Sequence, residues 1–504
     1  MSLSKSRYCK GIQCPKMLWM DINKPELFDQ SVMNETILNT GNVVGDLAMG
    51  YFGEFAEVPF SQDKSAMLVE TQRLLSAGTR IITEASFSFD GNYCIVDILR
   101  TVNDGYELVE VKSSTFAPSG SPDEVKPIYM HDMAYQAYVL NNCGLKIKKV
   151  SIMQLNREYV RRGELDLGEL FVLIDCTDRV SRMQSDIAQS IADIKTIAGQ
   201  DAEPVAGIGS RCDNPYECGY KGWCFRELPE NNVFQIGWSM WKNKKDDAYH
   251  AGYTSFEDVL AGGVPLSGKQ RRQLLTVTQN LPPHVDSAAI RKFLSQISYP
   301  LYHLDFETFQ QAVPLWDGIS PYAQIPFQYS LHIQDELCGE AVHNEFLGEE
   351  GIDPRRTLAE RLCTDIPRGA CVIAYNMSFE KSRLKELART FPDLAGHLMN
   401  IHDNMVDLAT PFQSGAYYCR EMGGSYSIKS VLPALCPDDR ELDYTALNII
   451  HNGNEAMNTY ATLHEKQPEE IAEIRAALMA YCRLDTLAMV KVLGKLYQLA
   501  SVAK

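Results

Sequence analysis

The chain reads as a mixed α/β protein with two α/β domains on either side of a smaller helical stretch. Three observations predict this. Two strand-like runs, residues 93–99 and 106–112, flank an Asp104-Gly105 turn signal. A further strand pattern, residues 300–308, opens the C-terminal region. A long helical pattern closes the chain, opened by Pro468 with Glu469 and Glu470 in its first turn.

Composition agrees. A length of 504 residues predicts two or three domains, each able to bury a sizeable core. The hydrophobic share of 45% is that of a globular chain. No apolar run reaches membrane-spanning length and no signal-peptide stretch opens the chain, so a cytoplasmic protein without a membrane partner is expected. Fourteen cysteines outside a short secreted chain predict reduced thiols plus a metal site, not a disulfide framework. The net charge of −17 argues against a broad DNA-coating surface. Local basic groups (Lys146, Lys148 and Lys149; Arg157, Arg161 and Arg162; Lys242, Lys244 and Lys245; Lys269, Arg271 and Arg272) offer a narrow track for a phosphate backbone, or simply solvated faces.

The first domain is expected over residues 1–226. If Asp104 and Gly105 are the turn residues, Asn103 pairs with Tyr106 and Asp97 falls opposite Lys112. Glu110, two residues from Lys112, shares that face. Asp97 and Glu110 would then bind Mg²⁺ or Mn²⁺, with the Val111 carbonyl as a further ligand. Lys112 would orient or activate water and neutralise developing charge. A solvated charged hairpin is the bland alternative. This Asp-x12-Glu-x-Lys arrangement resembles the core of the PD-(D/E)xK superfamily, a restriction-endonuclease-like fold. Glu84 precedes the hairpin. The run Tyr135-Gln-Ala-Tyr138 follows it and resembles the Gln/Tyr helix of RecB-type nucleases, which implies that Gln136 contacts substrate.

Cysteines frame this domain. Cys212-x5-Cys218-x5-Cys224 closes it, and Cys14 stands near the N-terminus. One early and three late cysteines resemble the iron–sulfur frame of AddB-type nucleases and of RecB-like exonucleases associated with CRISPR adaptation. Four thiolates suit a [4Fe–4S] cluster, which would clip the first segment of the domain to its last. Zn²⁺ is the alternative occupant, and Cys9 the alternative to Cys14. Cys94, Cys143, Cys176, Cys338, Cys363, Cys371, Cys419, Cys436 and Cys482 read as small core residues. Many relatives carry a metal-binding His on the helix after the first cysteine. Residues 40–46 have none, which leaves Asp46 as its candidate replacement, with a more weakly bound metal as the alternative.

Residues 227–296 read as a helical connector. Within it, residues 251–260 and 266–272 resemble a helix-hairpin-helix linker, whose turn amides would hold phosphate; a plain spacer is the alternative.

The second domain is expected over residues 297–504. In its opening strand Leu304 and Phe306 face one way, Asp305 and Glu307 the other. Asn376-Met-Ser-Phe-Glu380 follows, then Tyr481-Cys-Arg-Leu-Asp485, whose Tyr481 and Asp485 share one helix face. In order and form these resemble the three motifs of DnaQ-like (DEDD) 3′→5′ exonucleases, which have an RNase H-like fold. The resemblance implies two divalent metals roughly 3.5–4 Å apart, held by Asp305, Glu307, Glu380 and Asp485. Tyr481 would orient the attacking water. Ala480, where one subgroup has His, matches the tyrosine subgroup. Glu380 departs from the usual Asp, with Asp403 and Asp407 as alternative ligands.

Nearly the whole chain resembles a bacterial family that fuses an iron–sulfur RecB-like nuclease to a DnaQ-like exonuclease. Residues 4–8, 13–16, 214–218 and 424–433 look like signature runs, and Lys429 in the last is a candidate strand contact. The resemblance implies a metal-dependent DNA nuclease with two active sites, acting on DNA ends or single strands in repair or phage defence. Two alternatives remain open: a nucleic-acid-binding protein with one live site, and an RNA exonuclease.

Overall fold

A computed structural model describes the chain apart from residues 1, 34, 239–241, 338, 438, 440–446, 448 and 502–504, and the side chains of residues 35–38 and 242. Cys338 therefore lies outside the described residues. The chain is mixed α/β and divides into two compact units. One comprises Met1–Glu227 with Gln311–Tyr322, the other Leu228–Gln310 with Ala323–Lys504. The stretch read as a connector falls in the second unit from Leu228 onward. Among the described residues no helix is long and apolar enough to cross a membrane.

The first unit is built on a seven-stranded sheet. Its main path runs Ala56–Glu57, Ile81–Phe89, Asn92–Val102, Gly105–Phe116, Ile147–Asn156 and Phe171–Asp175. Leu3–Ser4 adds to it, parallel to the start of Asn92–Val102. Helices Lys5–Gln13, Pro127–Asn142 and Thr177–Ala198 supply Tyr8, Met133, Tyr135, Ile187 and Ile191 to its main core, with Val96 and Leu108 from the strands. Thr177–Ala198 shows why it docks: Val180, Ile187, Ile191 and Ile194 recur at helical spacing and all are buried. A second core gathers Val44 and Ala48 of helix Glu35–Met49 with Ile98, Val109 and Met153.

The hairpin exists, but its register differs from expectation. The turn is Asn103-Asp104, with Asp104 at a left-handed φ of 59°, and Val102 pairs with Gly105. Projected along the strands, this sets Asp97 opposite Glu110, not Lys112. The cause lies on the next strand. The Tyr106 N–H donates to the Lys146 carbonyl at 3.0 Å. A Cβ on Gly105 would stand 2.4 Å from that carbonyl oxygen. Gly105 thus permits close backbone approach and is not a turn residue. The two-residue shift leaves every side chain on its original face.

The second unit carries a five-stranded sheet in the order Ala341–Leu347, Ile325–Gln334, Leu301–Phe309, Cys371–Ala374, Met405–Asp407. The first three strands are antiparallel, and the last two run parallel to Leu301–Phe309. Leu304 and Phe306 enter a core with Leu358, Leu362, Leu384 and Leu387. Helix Pro468–Ser501 has the predicted Pro and acidic first turn, and it buries Tyr481, Cys482, Asp485 and Thr486. Thr486 joins it to the sheet, its hydroxyl bonding Ser330 at 2.6 Å and His332 at 2.7 Å.

In the expected linker, helices Phe256–Ala261 and Gly268–Thr278 each start with a capping box, at Ser255 and Ser267. Lys269 donates to the Gln413 carbonyl and Arg272 to the Gly415 carbonyl, at 2.8 and 2.7 Å. Both cations hold a turn of their own unit.

Candidate active sites

In the first unit, Asp97 and Glu110 come from the two hairpin strands, Lys112 from the second, and Gln136 from helix Pro127–Asn142. The structure brings them together. Gln136 Nε2 donates to Glu110 Oε2 at 2.6 Å, Lys112 Nζ to Glu110 Oε1 at 2.5 Å, and the Val111 N–H to Asp97 Oδ2 at 2.6 Å.

Two further residues belong here. Asp132 accepts from Lys112 at 2.9 Å and from Gln136 at 2.9 Å. It stands one helical turn before Gln136, a spacing visible in the sequence. Lys5 Nζ lies 2.9 and 3.0 Å from the two oxygens of Glu110 and 3.8 Å from Asp97 and from Asp132. The N-terminus is fixed there by its strand pairing and by the Tyr135 hydroxyl, which donates to the Leu3 carbonyl. Lys5 lies in the signature run 4–8, but nothing in that run points to Glu110.

Burial opposes ionisation of Glu110, yet Lys112 and Lys5 outweigh it and hold that carboxyl well below its usual range. Asp97 moves the other way, pushed up to about 6 by burial and then by Glu110. Burial, then Asp97, pushes Glu84 to about 7. Glu84, Glu57, Asp46, Asp97 and Val111 line one pocket of about 320 Å³, so Asp46 shares a pocket with Asp97, whereas Glu110 is not among its walls.

Cys14, Cys212, Cys218 and Cys224 line a second pocket, with Lys16 and Lys221. Cys9 is not among its walls and packs against the main core instead. Burial raises the Cys212 and Cys224 thiols, and pushes Cys218 to about 11. No three of these four thiols gather within 4.8 Å of one another. A tetrahedral zinc site, with Zn–S near 2.3 Å, needs sulfurs roughly 3.8 Å apart. Four cysteines around one pocket could hold either kind of metal group. The first and last segments also meet through polar contacts. Gln13 donates to the carbonyls of Arg211 and Tyr216 at 3.1 and 2.7 Å, and Lys16 and Lys24 pair with Glu203 at 2.6 and 3.0 Å.

In the second unit, Asp305 and Glu307 on the central strand face the long helix bearing Tyr481 and Asp485, and Glu380 lies in the first turn of helix Ser378–Thr390. Burial raises Asp305 well above the usual carboxylate range, with Asp485, Glu307 and Glu380 adding to it. Burial and then Asp485 push Glu307 to about 8. Burial, with Asp407 adding, pushes Glu380 to about 8. Glu380 Oε2 is buried without a hydrogen-bond partner. Buried like charges of this kind fit a bound cation. Lys429 Nζ lies 3.5 Å from the Tyr481 hydroxyl.

Of the two alternative ligands, Asp407 neighbours Glu380 but accepts the N–H groups of Asn376 and Ala409, both at 2.9 Å. Asp403 is exposed and pairs with His402. Cys482 corrects the core-residue reading in part. It is buried, but its Sγ lies 3.9 Å from Asp305 Oδ2, and ligand atoms of Asp305, Glu307 and Cys482 fall within 4.8 Å of one another. Cys143 corrects it fully: it caps the end of helix Pro127–Asn142, exposed, its thiol donating to the Ser88 carbonyl.

Comparison with known proteins yields a family profile described as "Domain of unknown function (DUF2779)", which matches residues 302–427. That span holds Asp305, Glu307 and Glu380 and stops short of Asp485. An "Uncharacterized protein MG366 homolog" of Mycoplasma pneumoniae is 29% identical over 38% of this chain and 31% of its own length. An "Uncharacterized protein UU173" of Ureaplasma parvum is 31% identical over 41% of this chain and 32% of its own length. The chain spans about a third of the length of these curated relatives.

Proposed function

We propose that the chain is a metal-dependent nuclease with two active sites, acting on the ends or single strands of DNA. The observation that carries this reading is the buried cluster of Asp305, Glu307, Glu380 and Asp485, four carboxylates from a strand and two helices, in which Asp485 and Glu380 add to burial in raising both Asp305 and Glu307. Such a set is costly unless it meets cations. Bound there, two divalent metals would stabilise the attacking and leaving oxygens of a phosphodiester. Tyr481 supplies a hydroxyl to orient water, and Lys429 a positive charge beside it. The strand order, three antiparallel strands followed by two parallel ones, supports the DnaQ-like, RNase H-like assignment.

In the first unit, Asp97 and Glu110 are the metal-ligand candidates, and Lys112 and Gln136 orient Glu110; Gln136 is fully buried and acts through Glu110, not by the substrate contact expected of it. The four-cysteine pocket supports a [4Fe–4S] cluster held by Cys14, Cys212, Cys218 and Cys224, which would fasten the unit's two ends. These features support a PD-(D/E)xK nuclease of the RecB-like kind.

The test uses full-length protein purified anaerobically, with Mn²⁺ or Mg²⁺ and end-labelled single strands of DNA and of RNA. Metal-dependent release of labelled nucleotides from DNA is expected, and its loss when Asp97→Ala and Asp305→Ala are combined. RNA cut in preference to DNA reassigns the substrate. No cutting of either by the metal-loaded, cluster-loaded protein refutes the reading.

A further inference from the structure

Next to the Asp97 pocket of the first unit lies a second hollow of about 620 Å³, lined by Phe52, Phe55, Arg80 and Arg100. One short stretch of chain serves both. Phe52, Phe55 and Ala56 line this hollow, while Glu57 and Phe60 line the carboxylate pocket. Ala56 and Glu57 pair with Ile82 and Thr83, which fixes the stretch along the sheet edge. Arg100 is three residues beyond Asp97 on the same strand, so its side chain turns to the other face, the one that carries Ile98 of the carboxylate pocket.

Two features set this surface apart. Phe60 is 81% exposed beside the carboxylates, and Phe55 is 41% exposed. Neither ring is needed to fill a core, so both keep free faces. The Arg100 guanidinium lies 4.2 Å from the centre of the Phe52 ring. Its partner Glu107 is fully buried and is shared with Lys149 at 3.2 Å, so two cations face one carboxylate. Arg80 adds a third cation at an exposed position. Glu54 also lines the hollow and partly offsets this charge, but two arginines beside the half-buried Phe52 and the exposed Phe55 remain a local exception in a chain of net charge −17. Arginines attract a phosphate backbone, and rings offer faces on which unpaired bases stack. A duplex hides its base faces, so the chemistry selects single strands.

We propose that residues 52–60, with Arg80 and Arg100, form a binding track for single-stranded nucleic acid that leads to the Asp97 pocket. This rests on the nuclease reading of the first unit and names its substrate as unpaired strand.

Full-length protein in EDTA, which prevents cutting, is titrated into fluorescein-labelled oligothymidylate and followed by fluorescence anisotropy. Phe60→Ala and Phe55→Ala are each expected to weaken binding on the order of tenfold. Phe60→Trp is expected to retain affinity and Phe60→Leu to lose it, which separates stacking from mere apolar contact. Arg80→Ala is expected to lower the salt slope by about one. The proposal is overturned if wild type binds and cuts single strands while both Phe variants bind as wild type; the nuclease reading then survives. It is also overturned if Phe60→Ala dissolves an oligomer in sedimentation without changing strand affinity, which would make the patch a protein interface. If wild type neither binds nor cuts single strands, the nuclease reading falls and takes the track with it.

Discussion

Without a bound cation the stability of the second unit depends on pH, and Glu307 is one of three raised carboxylates, with Asp305 and Glu380, that make it so. Its ordinary value of 4.5 is raised to about 8 by burial and then by Asp485. The folded protein therefore holds a proton that the unfolded chain releases. Glu307 costs nothing below about pH 4.5, and stability is lost as pH rises from there through about 8. Each pH unit in that window is worth about 1.36 kcal/mol. The full cost of the ionised side chain is then about 5 kcal/mol. The isosteric Glu307→Gln removes the titration. In EDTA, wild type and variant should melt close together at pH 5 and separate on the order of 10 °C at pH 9, with the variant more stable. Adding Mn²⁺ should rescue wild type at pH 9 and leave the variant nearly unmoved. Parallel melting curves across this range would show that Glu307 is not a strained buried carboxylate and would refute the reasoning.

Further outcomes follow from the same geometry. Lys5→Ala, in an Asp305→Asn background that silences the second unit, should tighten Mn²⁺ binding at Asp97 and Glu110 on the order of tenfold, because it removes a cation already seated on Glu110; calorimetric titration measures it. Cys218→Ser should abolish the iron and sulfide content of anaerobically purified protein, whereas Cys9→Ser should leave it intact. Glu203, lowered to about 2 first by its hydrogen bond from Lys16, contributes above pH 4.5 and loses that contribution as pH falls toward 2. Glu203→Ala should therefore destabilise the first unit by about 1–2 kcal/mol at pH 7 and by much less near pH 2, as read by chemical denaturation.

Much of this arrangement was visible in the sequence where the signal was local. Pro468, two glutamates and an i, i+4 pair announce the long helix and set Tyr481 and Asp485 on one face. Alternation sorts Leu304 and Phe306 from Asp305 and Glu307. Signals failed where a distant segment decides. Gly105 looks like a turn glycine, but its need arises from a strand more than forty residues later. Lys5 reaches Glu110 only because the N-terminal strand pairs with Asn92 and Tyr93. Asp132 was within reach, since its spacing from Gln136 puts both on one helix face. Cys482 reads as a small apolar residue and is buried as one, yet which buried surface it faces is a tertiary fact. Cys143 ends a helix, and capping overrides its tendency to burial.

The most direct test of the central claim is a comparison of single-site variants on one substrate. Single-stranded DNA labelled at either end is incubated with Mn²⁺ and wild type, Asp97→Ala or Asp305→Ala. Each substitution should delete a different product series and leave the other. If either variant still yields every product of the wild type, the site it removes is not a nuclease site and the two-site account is wrong.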